Sequence, residues 1–338
     1  MCWIGMGRPP GDGLGMHPLW KRHRLRAGRR DPSMTDFRDR RSLGKNGMTP
    51  PLRLRFATAV RRRAMLRRNA MRQWQRPPLQ YPHEYVVTFD LETVVDEEMP
   101  DGSFPPWPRH KPVAGAFLTA SRSDGRYAFS LDTFICHDGQ EAQFLRSTDA
   151  LFPPGSMAVT LNGRGFDAQV LRLQAQRQGL YDLRNIARIA DAGRYDVTHL
   201  DLLDAYGGRG SSLAELCGAL SIPVKTSTSG GDVGDLWRRG DVKAIAEYVQ
   251  EDVLASYLVY LHTIAWRQGD ERLIALPLAD LATWLESEPG LQHLLPFATC
   301  RPALWARSRA PYLRAVAARA GAELRLRKEQ DEAAFAAR

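Results

Sequence analysis

The stretch Y-V-V-T-F-D-L-E-T, Tyr85 to Thr93, decides how the chain is read. Val86, Val87, Thr88 and Phe89 are β-branched or aromatic, which predicts a strand, and the strand runs into acids. Side chains alternate along a strand, so Asp90 and Glu92 project to one face while Val87, Phe89 and Leu91 project to the other. Two carboxylates then stand side by side, and they repel unless a cation, a shared proton or full hydration relieves them. Alone, D-x-E reads either as a solvated pair at a strand end or as part of a metal site.

On the N-terminal side of this strand the composition changes sharply. Residues 1–80 hold 20 of the 47 Lys and Arg but only 4 of the 38 acids, a local net charge of +16, so the rest of the chain is net −7 and the overall +9 belongs to this quarter. Residues 1–50 are rich in Gly, Pro, Arg and Met without a sustained period, which predicts disorder. Leu52 to Gln75 contains no acid and reads as a basic helix. It fits a nucleic-acid arm, a membrane-surface helix or a transit peptide, or else a true start downstream at Met48, Met65 or Met71.

On the C-terminal side, an acidic, Pro-rich loop (Asp96 to Pro108) precedes predicted strands at Pro112 to Ala120 and Tyr127 to Ile135, with Ser123-Asp124-Gly125 as the turn between them. A helix with Phe144 and Leu145 on its apolar face follows, then a short strand, Met157 to Leu161. That strand enters T-L-N-G-R-G-F-D-A-Q-V-L, residues 160–171, where Asn162-Gly163 supplies a turn and Phe166, Val170 and Leu173 mark one helical face. Asp167 therefore sits just beyond a strand end and near a helix N-terminus, where an acid also complements the helix dipole.

Thr198 to Ala205 reads as a buried strand leading into a helix, with His199 and Asp201 as a satisfied polar pair rather than metal ligands. Gly207 to Gly210 could meet a phosphate, but Ser212 and Glu215 form a capping box that accounts for the loop without one. Ile222 to Gly240 is loop-like, a mobile flap from which Lys225 could reach a phosphate. Asp241 to Ala265 is helical and places Tyr248 and Asp252 one turn apart on one face, with Ala246, Val249, Val253 and Tyr257 as packing. The tail, residues 271–338, predicts a helix beginning with Leu273, Leu276, Leu278 and Leu281, several prolines, and a terminal helix from Pro311 to Ala337.

Other classes are excluded by composition. The four cysteines (Cys2, Cys136, Cys217, Cys300) are scattered, which predicts neither a disulfide framework nor structural zinc, and no run of 18 or more apolar residues is present. The expectation is a reduced, soluble, cytoplasmic protein with no membrane association.

Taken in order, F-D-L-E-T, N-G-R-G-F-D and Y-x-x-x-D resemble the DEDD 3′–5′ exonucleases of the ribonuclease H-like fold. The Tyr subtype is the match, because Tyr248 stands four places before Asp252 and Glu247 occupies the place of the histidine of the other subtype. H-K-P-V (His110 to Val113), H-L-D-L-L-D, S-S-L-A-E-L and D-L-W (Asp235 to Trp237) are similar to the bacterial predicted 3′–5′ exonucleases related to the proofreading domain of family-B DNA polymerases. The similarity spans roughly residues 83–270.

The resemblance implies an α/β domain over residues 81–270 with a mixed five-stranded sheet flanked by helices. A basic extension (1–80) would precede it and a helical one (271–338) would follow. It implies hydrolysis of nucleotides from the 3′ end of single-stranded or frayed DNA, with RNA 3′-trimming and a non-catalytic nucleic-acid adaptor as alternatives. Two hard cations, Mg²⁺ or Mn²⁺, about 3.5–4 Å apart, would be held by carboxylate oxygens. Asp90 would bridge them, Glu92 and Asp252 would complete the ion that holds the attacking water, Asp167 would hold the second ion partly through water, and Tyr248 would orient that water.

Overall fold

In the computed structural model, residues 83–97, 99–101, 103–208, 211–223 and 232–336 are described. The basic N-terminal extension, Lys225 with most of its loop, and Arg209-Gly210 lie outside them.

Five strands form one sheet: β1 (Tyr85–Val95), β2 (His110–Ser123), β3 (Arg126–Ile135), β4 (Met157–Thr160) and β5 (His199–Asp201). Their order is β3-β2-β1-β4-β5, antiparallel from β3 to β1 and parallel from β1 through β4 to β5. This is the mixed five-stranded sheet flanked by helices that the resemblance implies. The β2–β3 hairpin closes at Asp124 and Gly125, both with positive φ (50° and 75°), as a two-residue turn that matches the twist of its strands requires.

The alternation of β1 divides the molecule into two cores. Val87, Phe89 and Leu91 pack with Phe117 against α1 (Glu141–Ala150), α2 (Asp167–Arg177) and α3 (Arg184–Asp191). On the opposite face Val86, Ala114, Ala116 and Leu118 meet α7 (Val242–Gln268), which Asp241 caps at Ala244 N–H and Gly269 ends in a left-handed turn. Around that core lie α4 (Leu202–Ala205), α5 (Leu213–Leu220), α6 (Val233–Arg239), α8 (Arg272–Ser287), α9 (Leu295–Thr299) and α10 (Arg301–Ala336). Neighbours on several sides bury the middle of α7, Val253 to Leu261, almost all round.

The capping box at Ser212 and Glu215 is present, and Phe144 and Leu145 are buried as the periodicity predicts. Three expectations need correction. The stretch read as a loop up to Gly240 contains α6, whose Val233 and Leu236 are buried. The buried face of α2 is Ala168, Leu171 and Ala175 together with Val170, while Leu173 is only partly covered, because that helix packs on β2 and α3 at once. The terminal helix starts ten residues before Pro311. Pro302 lies in its first turn, where the missing N–H costs nothing, and the helix continues through Pro311 because α8 holds both sides of it. Ala303, Ala306, Ala310 and Leu313 are buried there, and Arg307, Arg309 and Arg314 pair with Glu286, Glu271 and Asp280. Among the described residues, no helix is long and apolar enough to cross a membrane.

Candidate active site

Asp90 and Glu92 lie on the α7 face of β1, opposite Ala116 and Ala114 of β2. Alanines there leave room above the two carboxylates, and a bulge after Glu92 turns the strand end. Across this space Asp252 projects from the middle of α7. One carboxylate oxygen from each of Asp90, Glu92 and Asp252 lies within 4.8 Å of the others, and all three residues are buried. Tyr248, also buried, lies one turn earlier on α7.

Asp167 completes the quartet from the sheet edge. β4 pairs with β1 only from Val86 to Thr88, so beyond Thr88 the β1 backbone needs other acceptors. The Leu91 N–H donates to Asp167 Oδ1 at 3.3 Å. Burial, with the negative charge of Asp90 beside it, pushes the Asp167 carboxyl well above the ordinary carboxylate range. The structure thus brings Asp90, Glu92 and Asp252 together and sets Asp167 beside Asp90.

The loop before Asp167 is fixed by Asp201. Its carboxylate accepts from Asn162 N–H (2.8 Å), Arg164 N–H (3.0 Å) and Leu203 N–H (2.9 Å), capping α4 and gripping the N-G-R-G turn with one side chain. Arg164 crosses back to donate to the Ala192 and His199 carbonyls and pairs with Asp204. Asn162 takes a left-handed φ of 66°. Gly163 is obligatory for a different reason, since a Cβ there would fall 2.5 Å from the Thr160 Cβ.

His199 is satisfied as predicted, between Thr160 Oγ1 (2.8 Å) and the Ile189 carbonyl (3.0 Å), and burial lowers its pKa. Sequence reasoning saw Asp201 as a paired polar group and missed its hold on the Asp167 loop. The visible signal was an Asp at a strand–helix junction, where one carboxylate can serve two sets of backbone donors.

Sequence reasoning picked out His110 and Phe166 separately but missed that they pack together with Phe104. Both flanking rings lie against His110, with centroids 4.9 Å and 4.8 Å away. His110 itself is held by Thr93 Oγ1 (2.7 Å) and the Pro105 carbonyl (3.0 Å), and burial depresses its pKa. Phe89 is fully buried against Phe117 and Phe152 and offers no face to a base. Trp237 stacks on His137 and lines an open cleft of about 600 Å³, which also borders Thr93 to Asp96, His110, Lys111 and Arg177.

The donor set suits hard divalent cations. Three buried carboxylates from β1 and α7, with a fourth beside Asp90, concentrate negative charge on oxygen ligands, and among the described residues no thiol or imidazole joins the group. A sequence profile described as "predicted 3′–5′ exonuclease related to the exonuclease domain of PolB" matches residues 102–299. The chain belongs to that family. Asp167, Tyr248 and Asp252 fall inside the matched residues, and β1 lies just N-terminal to them.

Among solved structures, the family-B DNA polymerase of Pyrobaculum calidifontis shares 17% identity over 60% of this chain and 29% of its own, with a TM-score of 0.36. Exonuclease I of E. coli, in complex with a dA16 oligonucleotide, shares 18% over 56% of this chain and 42% of its own, also at 0.36. The chain spans less than half the length of either structure, and the family match, not these loose overlaps, carries the assignment. No protein of curated function matches the chain.

Proposed function

We propose that the chain is a divalent-metal-dependent 3′–5′ exonuclease acting on single-stranded or frayed DNA. The observation that carries this reading is the convergence of Asp90, Glu92 and Asp252 within 4.8 Å, from elements some 160 residues apart, with Asp167 beside Asp90. Buried like charges at that distance make a stable arrangement only when something positive or a proton joins them. By their chemistry, these four acids would hold Mg²⁺ or Mn²⁺.

When bound, the ions supply charge neutralisation at the scissile phosphate and a water activated near neutral pH. The protein's own residues position the reaction. Asp90 and Glu92 fix one side through the rigid central strand, and Asp252 fixes the other through the most deeply packed helix. Asp167, anchored on the Leu91 N–H and held by the Asp201 clamp, sets the remaining side. Tyr248, one turn from Asp252, would orient the attacking water and assist its deprotonation.

The carboxylates are recessed, which favours a single or frayed 3′ end over a paired duplex end. The cleft bordered by Thr93 to Asp96, Trp237, Lys111 and Arg177 offers an aromatic face and cationic groups for the terminal nucleotide.

The test is digestion of matched 3′- and 5′-labelled single-stranded DNA and RNA oligonucleotides with Mg²⁺ or Mn²⁺, using EDTA and Asp90→Asn as controls. Metal-dependent shortening from the 3′ end, lost in Asp90→Asn, is the expected result, and the faster substrate assigns the sugar. Shortening that persists in Asp90→Asn, or cleavage of neither substrate by protein shown to bind the metal, refutes the reading; the second result points to a non-catalytic adaptor.

A further inference from the structure

A second cleft, of about 610 Å³, opens where the β2–β3 hairpin, the end of α7, the start of α8 and α10 meet. Arg122, Arg126, Arg272 and Arg314 line it, and Tyr127, Leu273, Leu276, Ala317 and Ala318 supply apolar wall. Its size lies within the range of small-molecule sites.

It is remote from the carboxylates. Asp90 stands opposite Ala116 on β2, and six residues at about 3.3 Å each separate Ala116 from Arg122, about 20 Å in all. Along α7, sixteen residues at about 1.5 Å each separate Asp252 from Gln268, about 24 Å.

Three of its arginines are held in place by carboxylates. Asp280 receives Arg314 at 2.7 Å and the Tyr127 N–H at 3.1 Å and pairs with Arg126, while Asp270 takes Arg272 in a bidentate pair. Asp270 and Asp280 are therefore committed to their own guanidinium groups. Asp124, at the tip of the hairpin turn, is exposed and solvated. Two donors remain. Arg122 makes no side-chain ion pair among the described residues, and it lies close enough to Tyr127 and Asp270 to act on both electrostatically. Arg314 Nε is buried with no hydrogen-bond partner. Held guanidinium groups, together with the uncommitted Arg122, beside an aromatic ring match the chemistry of a nucleotide: phosphate on the arginines, base or sugar against the apolar wall.

We propose that this cleft is a nucleotide-phosphate site, with Arg122 and Arg314 taking the phosphate and Tyr127, Leu273 and Leu276 covering the nucleoside. It does not depend on the hydrolytic reading of the carboxylates.

The test is isothermal titration calorimetry of the full chain in EDTA, which prevents turnover, with inorganic phosphate, dAMP and the tetranucleotide dT4 as separate probes. The variants are Arg122→Ser, whose exposed side chain bears no ion pair, and Asp90→Asn. The site predicts binding of dAMP or dT4 that Arg122→Ser weakens about 10-fold and Asp90→Asn leaves unchanged. Tighter binding of dAMP assigns a free nucleotide, and tighter binding of dT4 assigns a strand. Binding unchanged in Arg122→Ser, binding lost in Asp90→Asn alone, phosphate binding as tightly as dAMP, or no heat with any probe overturns the proposal.

Discussion

Replacing Asp252 with Asn should make the metal-free protein more stable and the metal-loaded protein relatively less so. Asp252 shares its space with Asp90 and Glu92, each with an oxygen within 4.8 Å. At that distance and an effective dielectric of about 20, one pair of unit charges repels by about 3.5 kcal/mol, and Asp252 faces two. Hydration and side-chain relaxation relieve most of this. The expected net gain for Asp252→Asn in EDTA is about 2 kcal/mol, a rise in Tm of roughly 4–8 °C for a domain of this size. With Mg²⁺ or Mn²⁺ at about 100 times its Kd, the wild type should gain about 2.7 kcal/mol and the variant far less, so the order of stabilities closes or reverses. Thermal unfolding of both proteins in EDTA and in either metal reads this out without any nucleic acid. A variant less stable than wild type in EDTA, or an equal gain from metal in both, would refute the view that these carboxylates form one cation site.

Further outcomes follow from the same geometry. Tyr248→Phe should slow 3′-end hydrolysis about 10²-fold or more while Tm stays near wild type, and an unchanged rate would reduce Tyr248 to packing. Asp201→Ala strips the acceptor from three backbone N–H groups, so unfolding in urea should show a loss of about 2–3 kcal/mol, with slower hydrolysis because Asp167 is no longer held; full activity would show that Asp167 needs no such support. Ending the chain at residue 270 uncovers Phe129, Tyr257 and other core residues packed on α8 and α10, so the truncated protein should be insoluble; a soluble, cooperatively unfolding product would refute this. Deleting residues 1–80 removes a net +16, which should weaken single-strand binding and flatten its salt dependence; an unchanged salt slope would assign no phosphate contacts to that segment.

How far the sequence could be read depends on the range over which each determinant acts. β1, the Asp124-Gly125 hairpin and the Ser212 capping box were legible because a strand's alternation, a two-residue turn and a cap are each set within a few residues. The four acids became legible together only through the order of their motifs: nothing local to Asp252 says that its helix crosses over Asp90. The misread parts share a cause, which is that distant contacts outweigh local preference. Pro311 ordinarily ends a helix, yet α10 runs through it because buried alanines and ion pairs to α8 hold the turns on both sides. A Gly- and Ser-containing run reads as loop, yet Val233 and Leu236 find the α7 core and fold α6. The same limit hid the Asp201 clamp, because its partners at Asn162 and Arg164 lie 39 and 37 residues earlier in the chain. Sequence reasoning therefore finds the groups that carry charge into the site more readily than the groups that hold them there. The holding groups are recognised only when the fold has brought their backbone partners within reach.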